Sequence, residues 1–392
     1  MEKKFFDTIL SRFERGTLNV TFWDGSSKSY GNGKPSVDIT IHSPKVVRAA
    51  MRNLSLGIGE AYMDKTFEAE PIGNFLDIVY MNLNAHAGFN NLLNTVTKLS
   101  KNIRTKQSKY IQHHYDLGND FYKLWLDNDT MAYTCAYFKT PKDTLEQAQN
   151  QKFDHVLRKL QLKKGMEVAE FGCGWGHLLV KAAKEYGVTG IGVTLSTEQY
   201  NYATKLAKKE GVDKQITFEL ANYQDLAERG KMYDRVYSVG IFEHVGKGNQ
   251  AQYFDAVNKL LKPGGVSFLH TISQQKPHKT DAWIDRYIFP GGHLHSVAEM
   301  VSYLPPYDFR LMDYESLRLH YALTLDEWRK RFESHHDKIV KMFDERFYRM
   351  WDFWLAASSA SFRYGELDLT QMVFSKGINN DLPLTREHIY KD

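Results

Sequence analysis

Three places along the chain carry residue types that could do chemistry. The first is Glu170-Phe171-Gly172-Cys173-Gly174-Trp175-Gly176, where an acid closes a short apolar run and three alternating glycines follow. Without side chains at Gly172, Gly174 and Gly176, a ligand can lie against the backbone and the N-terminus of the next helix. The second is Glu243-His244, and the third is His270 in Leu269-His270-Thr271-Ile272. A strand-end Glu commonly caps a helix, and a lone strand His is commonly a satisfied core residue. Placed at the ends of neighbouring strands, the two point instead to a site in one crevice.

The elements that must position these groups alternate from residue 164 onward. Strands are expected over 167–171, 189–193, 216–220, 235–239 and 266–272, the last preceded by a turn at 262–265. Helices are expected over 178–186 and 197–209. This alternation implies an α/β fold with a mostly parallel sheet and helices on both faces. Residues 309–317 and 371–374 add an antiparallel pair at one edge, with a long aromatic helical stretch (325–363) between them.

Residues 1–100 read as a small accessory domain, 101–114 as a linker and 115–392 as the catalytic domain. In the first, strands 18–22 and 37–41 flank a Gly/Ser-rich turn at 24–33. Helical segments follow, interrupted at Gly57, Gly59 and Pro71. Phe89, Leu92, Leu93, Val96, Leu99 and Ile103 fall at helical spacing, giving an amphipathic helix with a basic end.

Three nucleotide ligands compete for the glycines. No Gly-Lys-Ser/Thr closes them, which excludes a P-loop. A dinucleotide site wants a carboxylate about 20 residues on, but the second strand runs into Val193-Thr194-Leu195-Ser196. Glu170 suits a positively charged ligand with no pyrophosphate to repel. With Asn222-Tyr223-Gln224-Asp225 after the third strand, the pattern favours S-adenosylmethionine. Gly172 and Gly174 then admit its methionyl and ribose parts, Thr194 and Gln199 serve as hydroxyl partners, and Asn222 and Tyr223 border the adenine.

Composition bounds the partners. The net charge of +4 is too small to imply nucleic acid. Between Asp77 and Asp116 there is no acid, while Lys98, Lys101, Arg104, Lys106 and Lys109 fall inside the gap, a run that suits an anionic lipid surface or a solvated helix end. With 23 Phe, 23 Tyr and 7 Trp, the chain has rings to line large apolar cavities. Cys135 and Cys173 are the only cysteines, which suits a reducing, cytoplasmic compartment rather than a disulfide framework. No uncharged apolar run approaches the ~20 residues of a membrane span, so the expectation is a soluble, peripherally membrane-associated protein. No metal-ligand pattern stands out.

Eight segments, in order, resemble the cyclopropane-fatty-acyl-phospholipid and mycolic acid cyclopropane synthase family. They are 110–120 (YIQHHYDLGND), 133–138 (YTCAYF), 170–176 (EFGCGWG), 192–196 (GVTLS), 242–246 (FEHVG), 269–272 (LHTI), 287–292 (YIFPGG) and 320–325 (HYALTL). Residues 55–64 (SLGIGEAYMD) also resemble the accessory domain of the bacterial phospholipid enzymes. One departure is Glu170, where many members have Asp.

The resemblance implies a Rossmann-like class I methyltransferase fold with an antiparallel edge hairpin and a small N-terminal accessory domain. It implies methylene transfer from S-adenosylmethionine to a cis double bond of a phospholipid acyl chain, at the inner face of the membrane, by a homodimer. It also implies a bound bicarbonate as base, held by Cys135, Glu243, His270, the backbone at Ile272, and Tyr321. Tyr133 and Thr134 would reach the methionyl end of the donor. Two alternatives stay open: a lipid C-methyltransferase giving a methyl-branched or methylene product, and a lipid-binding protein with a vestigial nucleotide fold.

Overall fold

The computed structural model describes residues 2–83, 117–246 and 248–390. Tertiary contacts divide the chain into two compact units. One gathers the described part of residues 1–105 with Thr280–Pro290 and Leu325–Glu366; the other takes the described part of 106–279 with Gly291–Thr324 and the C-terminal segment from Leu367. The stretches 280–290 and 325–366, expected within the catalytic domain, therefore belong with the N-terminal unit. The amphipathic helix at 89–103, the basic run and the linker lie outside the described residues.

In the N-terminal unit β1 (Arg15–Thr21), β2 (Ser27–Ile41) and β3 (Phe67–Glu70) form one sheet in that order. The Gly/Ser-rich stretch is strand from Ser27 rather than turn. Leu18 pairs with both Tyr30 and Val37, so β2 folds back to flank β1. Gly57 and Gly59 do not interrupt a helix; both lie inside the helix Leu54–Met63. A Cβ at Gly57 would sit 2.4 Å from the Ala49 carbonyl carbon, and one at Gly59 2.4 Å from the Trp283 ring. Here glycine serves close approach, not chain reversal. The 20-residue helix Glu345–Tyr364 supplies Trp351, Phe353 and Trp354 to the same interior, where Phe353 meets Trp283 at 4.9 Å. Many of the chain's rings are thus packed core.

In the second unit β4 (Glu167–Phe171), β5 (Thr189–Thr194), β6 (Ile216–Leu220), β7 (Tyr233–Val239), β8 (Leu261–Gln274), β10 (Phe309–Ser316) and β11 (Leu367–Lys376) follow the expected series. Their order across the sheet is β10-β11-β8-β7-β4-β5-β6, and the two-residue β9 (His295–Ser296) pairs on β8. Neighbours from β8 to β6 run parallel, while β11 is antiparallel to both β8 and β10. The turn expected at 262–265 falls inside β8, where the register with β7 jumps from Tyr233↔Leu261 to Arg235↔Val266.

The chain leaves β4 toward β5 and β6, then crosses to β7 on β4's other side. That reversal opens a crevice beyond the carboxyl ends of β4 and β7. No described helix is long and apolar enough to cross a membrane.

Candidate active site

The crevice is built from the turn after β4. Gly172, Gly174 and Gly176 all take left-handed backbone (φ +67, +54 and +85), but for different reasons. A Cβ on Gly172 would lie 2.0 Å from Ile241 Cδ1, and one on Gly176 2.7 Å from the Phe218 ring. A Cβ on Gly174 would meet nothing within 4 Å, because Gly174 faces open space. That space is a cavity of about 370 Å³ at the strand ends.

All nine residues expected around the methyl donor line this cavity: Tyr133, Thr134, Glu170, Gly172, Gly174, Thr194, Gln199, Asn222 and Tyr223. Glu170 ends β4, is 2% exposed and accepts a long hydrogen bond from the Tyr237 hydroxyl at 3.4 Å. Burial pushes its carboxyl up to about 8, so a cationic ligand would restore its charge. Thr194 Oγ1 donates to Gln199 Oε1 at 2.8 Å, and Asn222 caps the helix Tyr223–Ala227. The Tyr223 ring stacks on Phe171 with centroids 5.0 Å apart, so it packs the core and walls the cavity at once. An open glycine, a buried acid and a hydrogen-bonded threonine–glutamine pair fit an adenosyl sulfonium better than a polyphosphate.

Sequence reasoning missed Lys152 here. On the helix Leu145–Leu160, it is 1% exposed, lines the cavity and donates to Thr134 Oγ1 at 2.8 Å. Its position in the sequence, on the polar side of an ordinary amphipathic helix, held no signal of this.

The second set lies off that lining. None of Cys135, Glu243, His270, Ile272 or Tyr321 lines the cavity, although Thr134 and His244 beside them do. Glu243 sits in the 3-10 turn Phe242–His244 after β7. Its Oε1 accepts the Ile272 N–H at 2.6 Å, while its Oε2 is buried without a hydrogen-bond partner. The Ile272 N–H, expected to face an anion, is thus spent on Glu243. Burial pushes the Glu243 carboxyl up to about 7, against the downward pull of that N–H.

His270 is 1% exposed on β8, and burial holds its imidazole well below the usual range, hence neutral. Its hydrogen-bond partner is Gln371. These two residues face each other across β8 and β11, with Gln371 Nε2 donating to His270 Nδ1 at 3.1 Å. An amide N–H on Nδ1 leaves the ring proton on Nε2, and that atom is buried without a partner. Gln371, on a strand far along the chain, was not singled out from the sequence.

Cys135 is fully buried, and burial pushes its thiol well above the usual range, so it is a weak donor and not a thiolate. Its neighbour Ala136 donates to Thr324 Oγ1 at 3.0 Å. Thr324 stands three residues after Tyr321 in the helix Arg318–Glu333, which ties the Cys135 segment to the turn bearing Tyr321. The half-buried Tyr321 donates its N–H to the Leu317 carbonyl at 3.1 Å. Glu243, in the turn after β7, is joined by the Ile272 N–H to β8, the strand that also carries His270. Cys135 and Tyr321 are joined to each other through Thr324. Among the described residues, no cluster of His, Cys, Asp and Glu could hold a metal ion.

Strand order, glycine turn and cavity together define an S-adenosylmethionine-dependent methyltransferase of the class I α/β fold. The mycolic acid cyclopropane synthetase family model matches residues 102–372, and a domain family of unknown function matches residues 5–91. The chain is 38% identical over 362 residues to the cyclopropane-fatty-acyl-phospholipid synthase of Escherichia coli, covering 91% of this chain and 92% of that one. It is 34% identical over 384 residues to a probable fatty acid methyltransferase of Pseudomonas putida, covering 95% and 96%. A mycolic acid cyclopropane synthase solved in complex with SAH and CTAB superposes with a TM-score of 0.65 at 31% identity, over 70% of this chain and 99% of that one. The chain belongs to the mycolic acid cyclopropane synthetase family, and it is a fatty acyl methyltransferase.

Proposed function

We propose that this methyltransferase converts the cis double bond of an unsaturated phospholipid acyl chain into a cyclopropane ring, with bicarbonate as the base. The observation that carries the reading is the pair of buried, unpartnered atoms, Glu243 Oε2 in the turn after β7 and His270 Nε2 on the neighbouring strand β8, with His244 beside Glu243 lining the donor cavity. Likeness to a phospholipid cyclopropane synthase across both units supports the choice of substrate.

S-adenosylmethionine, when bound, supplies an electrophilic methyl group. An alkene attacking that methyl becomes a carbocation, and ring closure then requires a proton to leave the transferred carbon. Of the five residues, none is itself a strong base at neutral pH. Cys135 stays a thiol, His270 is neutral with its proton on Nε2, and Glu243 titrates near 7. Such a set offers donors to a small anion: His270 Nε2–H, the Cys135 thiol, the Tyr321 hydroxyl and, when protonated, Glu243. The groups fit bicarbonate, which supplies the base when bound; the chain's own part is to hold it in a dry place where water cannot trap the cation.

Tyr133, Thr134, Glu170, Gly172, Gly174, Thr194, Gln199, Asn222 and Tyr223 would hold the donor. The N-terminal unit would dock the enzyme on the inner face of the membrane or hold a homodimer together. Alanine at surface positions of that unit should then weaken binding to anionic phospholipid vesicles or dissociate the dimer at unchanged donor affinity; neither change sinks that role. Incubation with unsaturated phospholipid and labelled donor tests the main reading. A product that is solely methyl-branched or exomethylene contradicts it.

A further inference from the structure

We propose that Lys152 is the cationic anchor for the carboxylate of the methyl donor, acting through the Thr134 hydroxyl. The proposal rests on reading the cavity as the donor pocket.

Lys152 is an ammonium placed where an ammonium is costly. It is 1% exposed, yet among the described residues it forms no ion pair; its polar contact is the neutral Thr134 Oγ1 at 2.8 Å, with the Phe153 ring 4.3 Å from Nζ. The nearest acids are committed elsewhere. Asp127 accepts from the Thr130 N–H, the Thr130 hydroxyl and the Ala132 N–H, at 2.6, 2.9 and 2.8 Å. Glu170 is held largely neutral by burial. Asp127 acts on Lys152 only as a charge at a distance; a buried cation with no carboxylate in bonding contact gains when an anion arrives beside it, and Lys152 lines the cavity through which one could arrive.

Thr134 is fixed so as to pass that charge on. Gln149 Nε2 holds its carbonyl at 2.9 Å, and its methyl packs where a Cβ on Gly240 would come within 2.8 Å. With Lys152 donating into Oγ1, the hydroxyl proton must point elsewhere, and no acceptor for it exists among the described residues. Thr134 also lines the cavity, whereas Cys135 next to it does not. The missing acceptor is therefore sought in the donor pocket. An adenosyl thioether or sulfonium carries one anionic group, its α-carboxylate. A hydroxyl polarised by an ammonium is a charge-assisted donor suited to it. The burial that drives Lys152 down to about 8 is relieved once that carboxylate is in place.

Three ligands separate this role from a structural one: S-adenosylhomocysteine, its decarboxylated analogue, and methylthioadenosine, which lacks the whole amino-acid end. Calorimetry on the full-length enzyme measures each against wild type, Lys152→Met and Thr134→Val. The expected result is that Lys152→Met weakens S-adenosylhomocysteine by roughly 10- to 100-fold and leaves the other two within about threefold. Thr134→Val should do the same, and the double variant should be no worse than the larger single loss. Equal weakening of all three ligands, or no weakening of S-adenosylhomocysteine, overturns the anchor role. If Lys152→Met does not fold, Thr134→Val alone decides between those outcomes. Wild type that binds none of the three overturns the donor-pocket reading itself. Added bicarbonate should not compete with S-adenosylhomocysteine; competition abolished by Lys152→Met would assign Lys152 to the inorganic anion and overturn the proposal.

Discussion

Glu170→Gln isolates the charge at the head of the donor cavity. In the ligand-free protein burial pushes the Glu170 carboxyl up to about 8, so at pH 7 about nine-tenths of molecules hold it protonated. A cationic donor beside it favours the carboxylate. Binding should therefore release about 0.9 proton per site at pH 7, about 0.5 at pH 8 and about 0.1 at pH 9. Calorimetry in buffers of different ionisation enthalpy reads that number, and the Gln variant should lose this release and bind S-adenosylmethionine more weakly. Stability carries the matching sign. A carboxyl raised from its ordinary 4.5 binds more protons folded than unfolded across that window. Ligand-free stability is therefore greatest at the acidic end and falls as pH rises toward 8. Between pH 5.5 and 8 the fall attributable to Glu170 is about 3 kcal/mol, and the Gln variant should not have it. Equal proton release by variant and wild type would refute the reasoning.

Other perturbations separate the two halves of the site. Glu243→Gln or Cys135→Ser should lower turnover by roughly 10²- to 10⁴-fold with S-adenosylhomocysteine affinity unchanged; wild-type turnover in both discredits their role in holding the base. Gln371→Leu keeps the packing but removes the donor to His270 Nδ1. Nitrogen NMR of His270 should then show loss of the single Nε2–H tautomer, and turnover should fall while donor binding holds. Gly172→Ala should lower the melting temperature sharply, because its Cβ would meet Ile241 at 2.0 Å. Gly174→Ala should fold with a loss of about 1 kcal/mol but bind S-adenosylhomocysteine poorly, since its Cβ points into the cavity.

What could be read from the sequence follows a physical divide. The strands of the second unit, and the glycine turn between β4 and the next helix, were legible because local periodicity and backbone demand fix them. Seven of the cavity-lining residues expected around the donor came with them, because the strand ends of an α/β sheet converge on one crevice; Tyr133 and Thr134 came from the family resemblance alone. Partners across the sheet were not legible. Gln371 meets His270 only because β11 runs antiparallel beside β8, and nothing local to either residue encodes that. Lys152 looked like any helix-surface lysine until the helix packed its Nζ against Thr134. Gly57 and Gly59 misled because glycine in a helix reads as a break, whereas here it admits Ala49 and Trp283. Nor does a linear division of the chain register that 280–290 and 325–366 group with the N-terminal residues by tertiary contact.

The central claim is the fate of the transferred carbon, and it is tested by supplying vesicles of cis-unsaturated phospholipid with methyl-trideuterated S-adenosylmethionine and bicarbonate. Mass spectrometry and NMR of the acyl chains follow. A cyclopropane ring with two of the three deuterium atoms on the bridging carbon is the predicted product. A methyl branch retaining all three, or an exocyclic methylene with no ring, contradicts the account.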